Sequence, residues 1–205
     1  MRRAHLIFTA GAVAALACEQ PSLPTLVGTG SDRAAVAADD SHGVVAKVQG
    51  AGVVDLRSAN AGLMSFEFDA KQRADGSADG EFWQYRESAA GTVEFTGRVT
   101  CVTFDPANHR AWVGGIILEN RSTNPAFQVD TLHLAGMDIW FRVVDYADAA
   151  VPEPDRSTVF GFKWSAGIKT TPEYCQLQPW PDTPTRDART FPVLEGEGDI
   201  KVKTH

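Results

Sequence analysis

Residues 62 to 70 read GLMSFEFDA, and apolar and polar side chains alternate along them without a break. Met64, Phe66, Phe68 and Ala70 fall on one side; Ser65, Glu67 and Asp69 fall on the other. A period of two is that of a strand with one face in a core and the other in water. On a helix, neighbours two apart point to opposite sides, so Phe66 and Phe68 would not share a face. The next stretch, RADGSADG, carries Asp75-Gly76 and Asp79-Gly80, both turn signals. EFWQYRE then reads as the returning strand, with Trp83 and Tyr85 on one face and Phe82 and Gln84 on the other. Of the tryptophans, only Trp83, beside Tyr85, and Trp180, between two prolines, are expected to face outward.

The same logic extends in both directions. In GTVEFTGRVTCVTF, Val93, Phe95, Val99 and Cys101 share a parity, while Val102 and Phe104 take the other. The phase slip at Cys101-Val102 predicts a β-bulge, or else a strand buried on both faces. DPANH is a turn, and RAWVGGIIL is apolar on both parities, as a central strand would be. Further strands are expected in MDIWFRVVDY, where Met137, Ile139, Phe141 and Val143 align, in STVFGFKW and in GDIKVK. GVVAKVQG and GVVDLRS supply an early pair. No helical periodicity follows residue 43. Residues 119–136 and 165–196 are long connections, the second rich in Pro and Thr and expected to wrap the outside. The expectation is all-β: a single antiparallel β-sandwich or small β-barrel of about nine strands over residues 44–205. Its predicted core is Met64, Phe66, Phe68, Val93, Phe95, Val99, Val113, Ile117, Ile139, Phe141, Val143, Phe160 and Phe162.

The N-terminal segment has another character. Arg2 and Arg3 precede the uncharged run from Leu6 to Ala17, the pattern of a secretory signal over residues 1–17. The run is shorter than the roughly 20 apolar residues a membrane-spanning helix needs. Ala15-Leu16-Ala17-Cys18 resembles a bacterial lipobox, although Ala15 stands where leucine is usual. The resemblance implies a lipidated Cys18 and, with Glu19 next, passage to an outer membrane where the cell has one. The other reading is an ordinary secretory signal cut near Cys18. Residues 18–43 mix Pro, Gly, Ser, Ala and Asp without periodicity, as a flexible tether does.

Charge and cysteine content agree with export. The 205 residues hold 19 basic and 26 acidic side chains. With Arg2 and Arg3 removed, the mature chain would carry nine more acids than bases. Nucleic acid is excluded as a partner on this charge, and anionic headgroups are poor partners too. With Cys18 lipidated, Cys101 and Cys175 remain as an even pair, which outside the cytoplasm is expected to form a disulfide. The alternative is two buried thiols.

GEFWQYRESAAGTVEFTGRVTCVTF, RAWVGGII, WFRVVDYADAAVPEPDRST and the terminal GDIKVK together resemble a set of small exported bacterial β domains described as lipoproteins. The similarity covers roughly residues 60 to 203 and rests on strand and turn patterns. It implies a fold and a place in the cell envelope, and brings no established activity with it. Those domains often continue the V-x-D loop with Asn-Gly; here Tyr146-Ala147 follows.

Chemical signatures are sparse. Glu67-Phe68-Asp69 begins an E-x-D-x-x-E glycosidase pattern, but position 72 is Gln, so one carboxylate of the needed pair is missing. No G-x-S-x-G, H-E-x-x-H or phosphate-binding glycine loop occurs. His42, His109, His133 and His205 are far apart in sequence. The strongest ligand candidate is DYADAAVPEPDRS, where Asp145, Asp148, Glu153 and Asp155 crowd one loop with the hard oxygen atoms calcium prefers. The spacing matches no EF-hand, and a solvated acidic loop is the plainer account.

Three functions follow as expectations. The first is a non-enzymatic, lipid-anchored cell-envelope domain with a structural or interaction role, held to the membrane through its N-terminal lipid. The second is a binding module for calcium, a glycan or a small apolar ligand. The third is a hydrolase with an unrecognised carboxylate site.

Overall fold

The alternation over 62–70 becomes the second strand of one curled antiparallel sheet. The computed structural model describes residues 43–57, 62–146, 153–163, 165–179 and 190–205. The signal-like segment, Cys18 and the tether, Asp148, Trp164 and Trp180 lie outside the described residues. The strands are β1 (Val44–Asp55), β2 (Leu63–Arg73), β3 (Ala78–Ser88), β4 (Gly91–Asp105), β5 (Arg110–Asn120), β6 (Asp138–Val144), β7 (Arg156–Thr158), β8 (Gly161–Phe162), β9 (Thr190–Pro192) and β10 (Asp199–Thr204). Their order is β10-β1-β2-β3-β4-β5-β6-β7-β9, with β8 also pairing with β6. Successive strands from β1 to β5 are joined by short turns, so each lies beside its sequence neighbour.

The curl brings the two ends of the sheet together. Val54 at the end of β1 bridges Val193 just after β9, and the Leu194 amide donates to the Val53 carbonyl at 2.8 Å. β10 occupies the rest of that edge of β1, from Ala46↔Thr204 to Ala51↔Asp199. Its own outer edge meets two buried carboxylates. The Ile200 amide donates to Asp155 Oδ2 at 2.7 Å, and the Val202 amide donates to Asp145 Oδ2 at 3.1 Å. Asp155 Oδ1 accepts from the Tyr146 amide as well, at 2.9 Å. Side chains thus satisfy strand amides that would otherwise lack a ladder partner.

Inside the curl, the alternating apolar faces meet. Every predicted core residue is buried except Phe162, which is half-buried against the same cluster. Phe68, Phe141 and Phe160 pack with ring centroids 5.1 Å and 4.9 Å apart along the series, and Phe82 meets Phe160 edge-on at 5.4 Å. The Phe82 ring lies over Gly97, where an added Cβ would come within 2.0 Å of its tip. Only glycine leaves room for that ring.

Four details differ from the sequence reading. The early pair of strands is one continuous β1, because Gly50 is a close approach and not a turn: its Cβ would lie 2.9 Å from Ile200 and 3.0 Å from Phe68. Together with the short β7, β8 and β9, this gives ten strands among the described residues instead of about nine. Met137 lies outside β6 and is 40% exposed, since the strand begins at Asp138. The fourth is helical. Besides α1 (Pro125–Gln128), the second long connection holds α2 (Thr171–Leu177). Thr170 caps α2 by accepting from the Glu173 amide, and Pro172 sits in its first turn, where no amide is needed.

The predicted bulge is present as a register shift between Val99 and Cys101. Before it, Val93, Phe95 and Val99 point inward; after it, Val102 does, and Cys101 leaves the inner cluster. It joins a second cluster outside the sheet, with Trp112, Trp140, Ile168, Tyr174 and Cys175. The disulfide Cys101–Cys175 ties α2 there across 74 residues, with Cα atoms 6.3 Å apart. Gly114 lets the helix settle, for a Cβ would lie 2.4 Å from the Thr171 methyl.

Candidate functional site

Among the described residues α2 covers β4 only at its far end, at Cys101 and Thr103; a groove crosses the outer faces of β1 to β3 and the first half of β4. Its line is a cross-strand row: Asp199, Ala51, Glu67, Trp83, Thr96 and Glu119 are successive register partners from β10 to β5. Ala51 and Thr96 are short, whereas the neighbouring row of Gln49, Asp69, Glu81 and Arg98 is long. Short side chains between taller ones leave a hollow of about 710 Å³, lined also by Leu118 and Arg121. Leu118 reaches it because β5 is bulged there: Thr96 pairs with Glu119 and Gly97 with Ile117, which leaves Leu118 unpaired and 48% exposed.

Trp83 is the fixed point of the groove. Its indole N–H donates to Glu94 Oε1 at 3.2 Å, and Arg121 in turn approaches Glu94 at 3.9 Å while pairing with Glu119. Tyr85, two residues on, lies nearly parallel to the indole, with centroids 6.2 Å apart and 6° between planes. Its hydroxyl donates to Glu87 at 3.0 Å, and that bond to a carboxylate holds the phenol in its neutral form, raising its pKa. Asp69 is matched by Lys47 at 2.7 Å and Lys71 at 3.6 Å. Glu67, Glu81 and Asp199 form no ion pair among the described residues. Thr96 supplies the lone hydroxyl of the lining residues, which include no histidine or cysteine. The carboxylates and the aromatic ring of the groove are groups that can hold a ligand.

The sequence candidates are placed as follows. Glu67 and Asp69, the start of the incomplete glycosidase pattern, both line the groove. Asp145 and Asp155 are buried at the seam beside β10, while Glu153 is exposed. Among the described residues no group of three or more His, Cys, Asp or Glu is placed to hold a metal ion. His133 is buried against Phe127 and Phe162, with centroids 4.7 Å and 4.3 Å away. His109 and His205 meet at a small hollow of about 320 Å³ beside β10. Trp112 and Trp140 are core residues of the outer cluster, as strands apolar on both parities imply. Glu94, Glu119, Arg121 and Asp199 were not singled out by motif. Parity places Glu94 on the wet face of β4, but the assembly of all four needs the register of five strand pairs.

No family model matches the chain, nor does any curated protein or solved structure.

Proposed function

We propose that this chain is a non-enzymatic, lipid-anchored domain of the cell envelope whose work is interaction, with the outer groove as its recognition surface. The observation that carries the second half is the groove itself: a preset hollow built round an oriented indole on a bare sheet face. Aromatic rings fixed by hydrogen bonds lose little freedom on binding, which is why they serve as anchors in interfaces. The lipobox-like Ala15-Leu16-Ala17-Cys18, the acidic composition and the disulfide support the envelope setting. The resemblance to exported β domains supports it too. Two or more acyl chains on Cys18 would exceed the single chain whose membrane binding is only marginal.

Two measurements test this. A clickable fatty acid should label the wild type and leave Cys18→Ser unlabelled; an unlabelled wild type removes the anchor. A photo-crosslinking residue in place of Leu118, which lines the groove and is exposed, should capture a partner in intact cells, and the same residue in place of Asp75, in the exposed β2–β3 turn, should not. Equal capture from both positions removes the groove as the recognition surface.

A further inference from the structure

We infer that the groove receives an extended basic segment of a partner protein, its lysine or arginine side chains entering beside Trp83. This rests on the groove being the recognition surface. Five carboxylates line the hollow, from Glu67, Asp69, Glu81, Glu119 and Asp199, against one guanidinium, Arg121. Asp69 and Glu119 have partners within the chain. Glu67, Glu81 and Asp199 form no ion pair among the described residues, although Arg98 stands opposite Glu81 in register. A partner that brings cations supplies what the fold leaves out.

The indole sharpens this. Glu67 is the direct cross-strand neighbour of Trp83 on one side. A cation placed there is drawn by the carboxylate and by the face of the indole together, and tryptophan is the best ring for such contacts. A guanidinium also stacks on an aromatic face, which favours arginine over lysine at this position. The acidic excess of the whole chain would steer a basic segment toward it.

Geometry sets the length. The row from β1 to β5 crosses four inter-strand gaps of about 4.8 Å each, close to 19 Å. An extended chain covers that in about six residues at roughly 3.3 Å per residue. A neutral sugar would use Trp83 and Tyr85 and would leave Glu67 and Glu81 without an electrostatic role, so it accounts for less of the lining.

The test uses the full-length protein and fluorescent hexapeptides that alternate arginine with alanine, read by anisotropy. The expected result is saturable one-to-one binding that weakens with salt. Glu67→Gln with Glu81→Gln should weaken it about tenfold or more, and Trp83→Ala by a similar factor. Glu153→Gln with Glu195→Gln removes as much charge at exposed positions outside the groove and should change affinity less than about twofold. Equal weakening by that control pair would mean diffuse attraction to an acidic protein and would overturn the proposal. So would the absence of saturable binding. Binding of cellohexaose that depends on Trp83 but not on Glu67 and Glu81 would also overturn the basic ligand. In that case, or if crosslinking from position 118 persists while the peptide does not bind, the recognition surface stands and only its ligand changes.

Discussion

Among the described residues the outer surface has two tryptophan-bearing regions, and α2 covers one of them. On β5 and β6, Trp112 and Trp140 point outward and are buried beneath α2, with Trp140 stacked on Tyr174 at 5.4 Å. The Trp112 indole donates to the Pro179 carbonyl at 3.0 Å, and the Thr171 amide fixes the helix start to Asp138 at 2.9 Å. On β3, Trp83 also points outward, yet its neighbours across the strands are Glu67 and Thr96. Trp140 has glycines on both sides, Gly114 and Gly161, and the room they leave lets α2 settle on the ring. Polar neighbours alone do not set the two regions apart, since Trp112 stands between Thr103 and Arg142; the difference lies in the helix that the disulfide holds over one of them.

The largest effect should come from cutting into the covered side. Trp140→Ala should cost about 3–5 kcal/mol in urea unfolding, as large-to-small changes in packed clusters do. Trp83→Ala should cost about 1 kcal/mol or less, in the range of surface substitutions. Equal costs would erase the distinction between the two faces.

Next in size is the tether of the lid. Replacing both Cys101 and Cys175 by serine should cost about 2–4 kcal/mol, since the bond closes a long loop in the unfolded chain. Hydrogen exchange should locate the loss: α2 amides should lose protection more than those of β2 and β3. Uniform loss would mean that the covered face is not a separate unit.

The smallest effect belongs to neither face. Burial against phenylalanine lowers the pKa of His133 below its ordinary 6.5, with the nearby Asp130 opposing in part. The folded state therefore favours neutral imidazole, and the unfolded chain binds more protons below about pH 6.5. Stability is full above that value and declines as pH falls through it. The melting temperature should drop on mild acidification, and His133→Gln should flatten that slope. An unchanged slope would trace the acid sensitivity to groups elsewhere and leave the interior out of it.

How much of this was legible in the sequence can be followed residue by residue. Alternation placed Met64, Phe66 and Phe68 inside, because a strand gives each side chain one of two directions and burial decides between them. The phase slip at Cys101 was visible for the same reason. Apolar residues on both parities of β5 announced a second layer, but not that a helix supplied it. The local signal was there in Thr170-Thr171-Pro172-Glu173, a capping sequence with proline in the first turn, yet seven residues are too few for helical periodicity to show. The described part of the long connection after residue 165, up to Pro179, lies against the outer cluster, pinned at Cys175. The groove was the least legible part. Glu67 and Trp83 are sixteen positions apart, and only pairing register makes them neighbours. The crowding of Asp145 and Asp155 looked like ligand chemistry in the sequence, while in space both carboxylates face the amides of β10.

That last arrangement bears on the order of assembly. β1 emerges first during synthesis and β10 last, yet they are sheet neighbours, with Ala46 opposite Thr204. The edge of β1 from Ala46 to Ala51 stays unpaired until β10 is available, and the two carboxylates have no strand to receive until then. A pairing of such sequence separation is slow to form, because the whole chain between must first be gathered. An open edge in the meantime is a template for other chains. The closing step of this sheet therefore belongs to β10, and a nascent chain halted before Asp199 would leave the edge of β1 from Ala46 to Ala51 open.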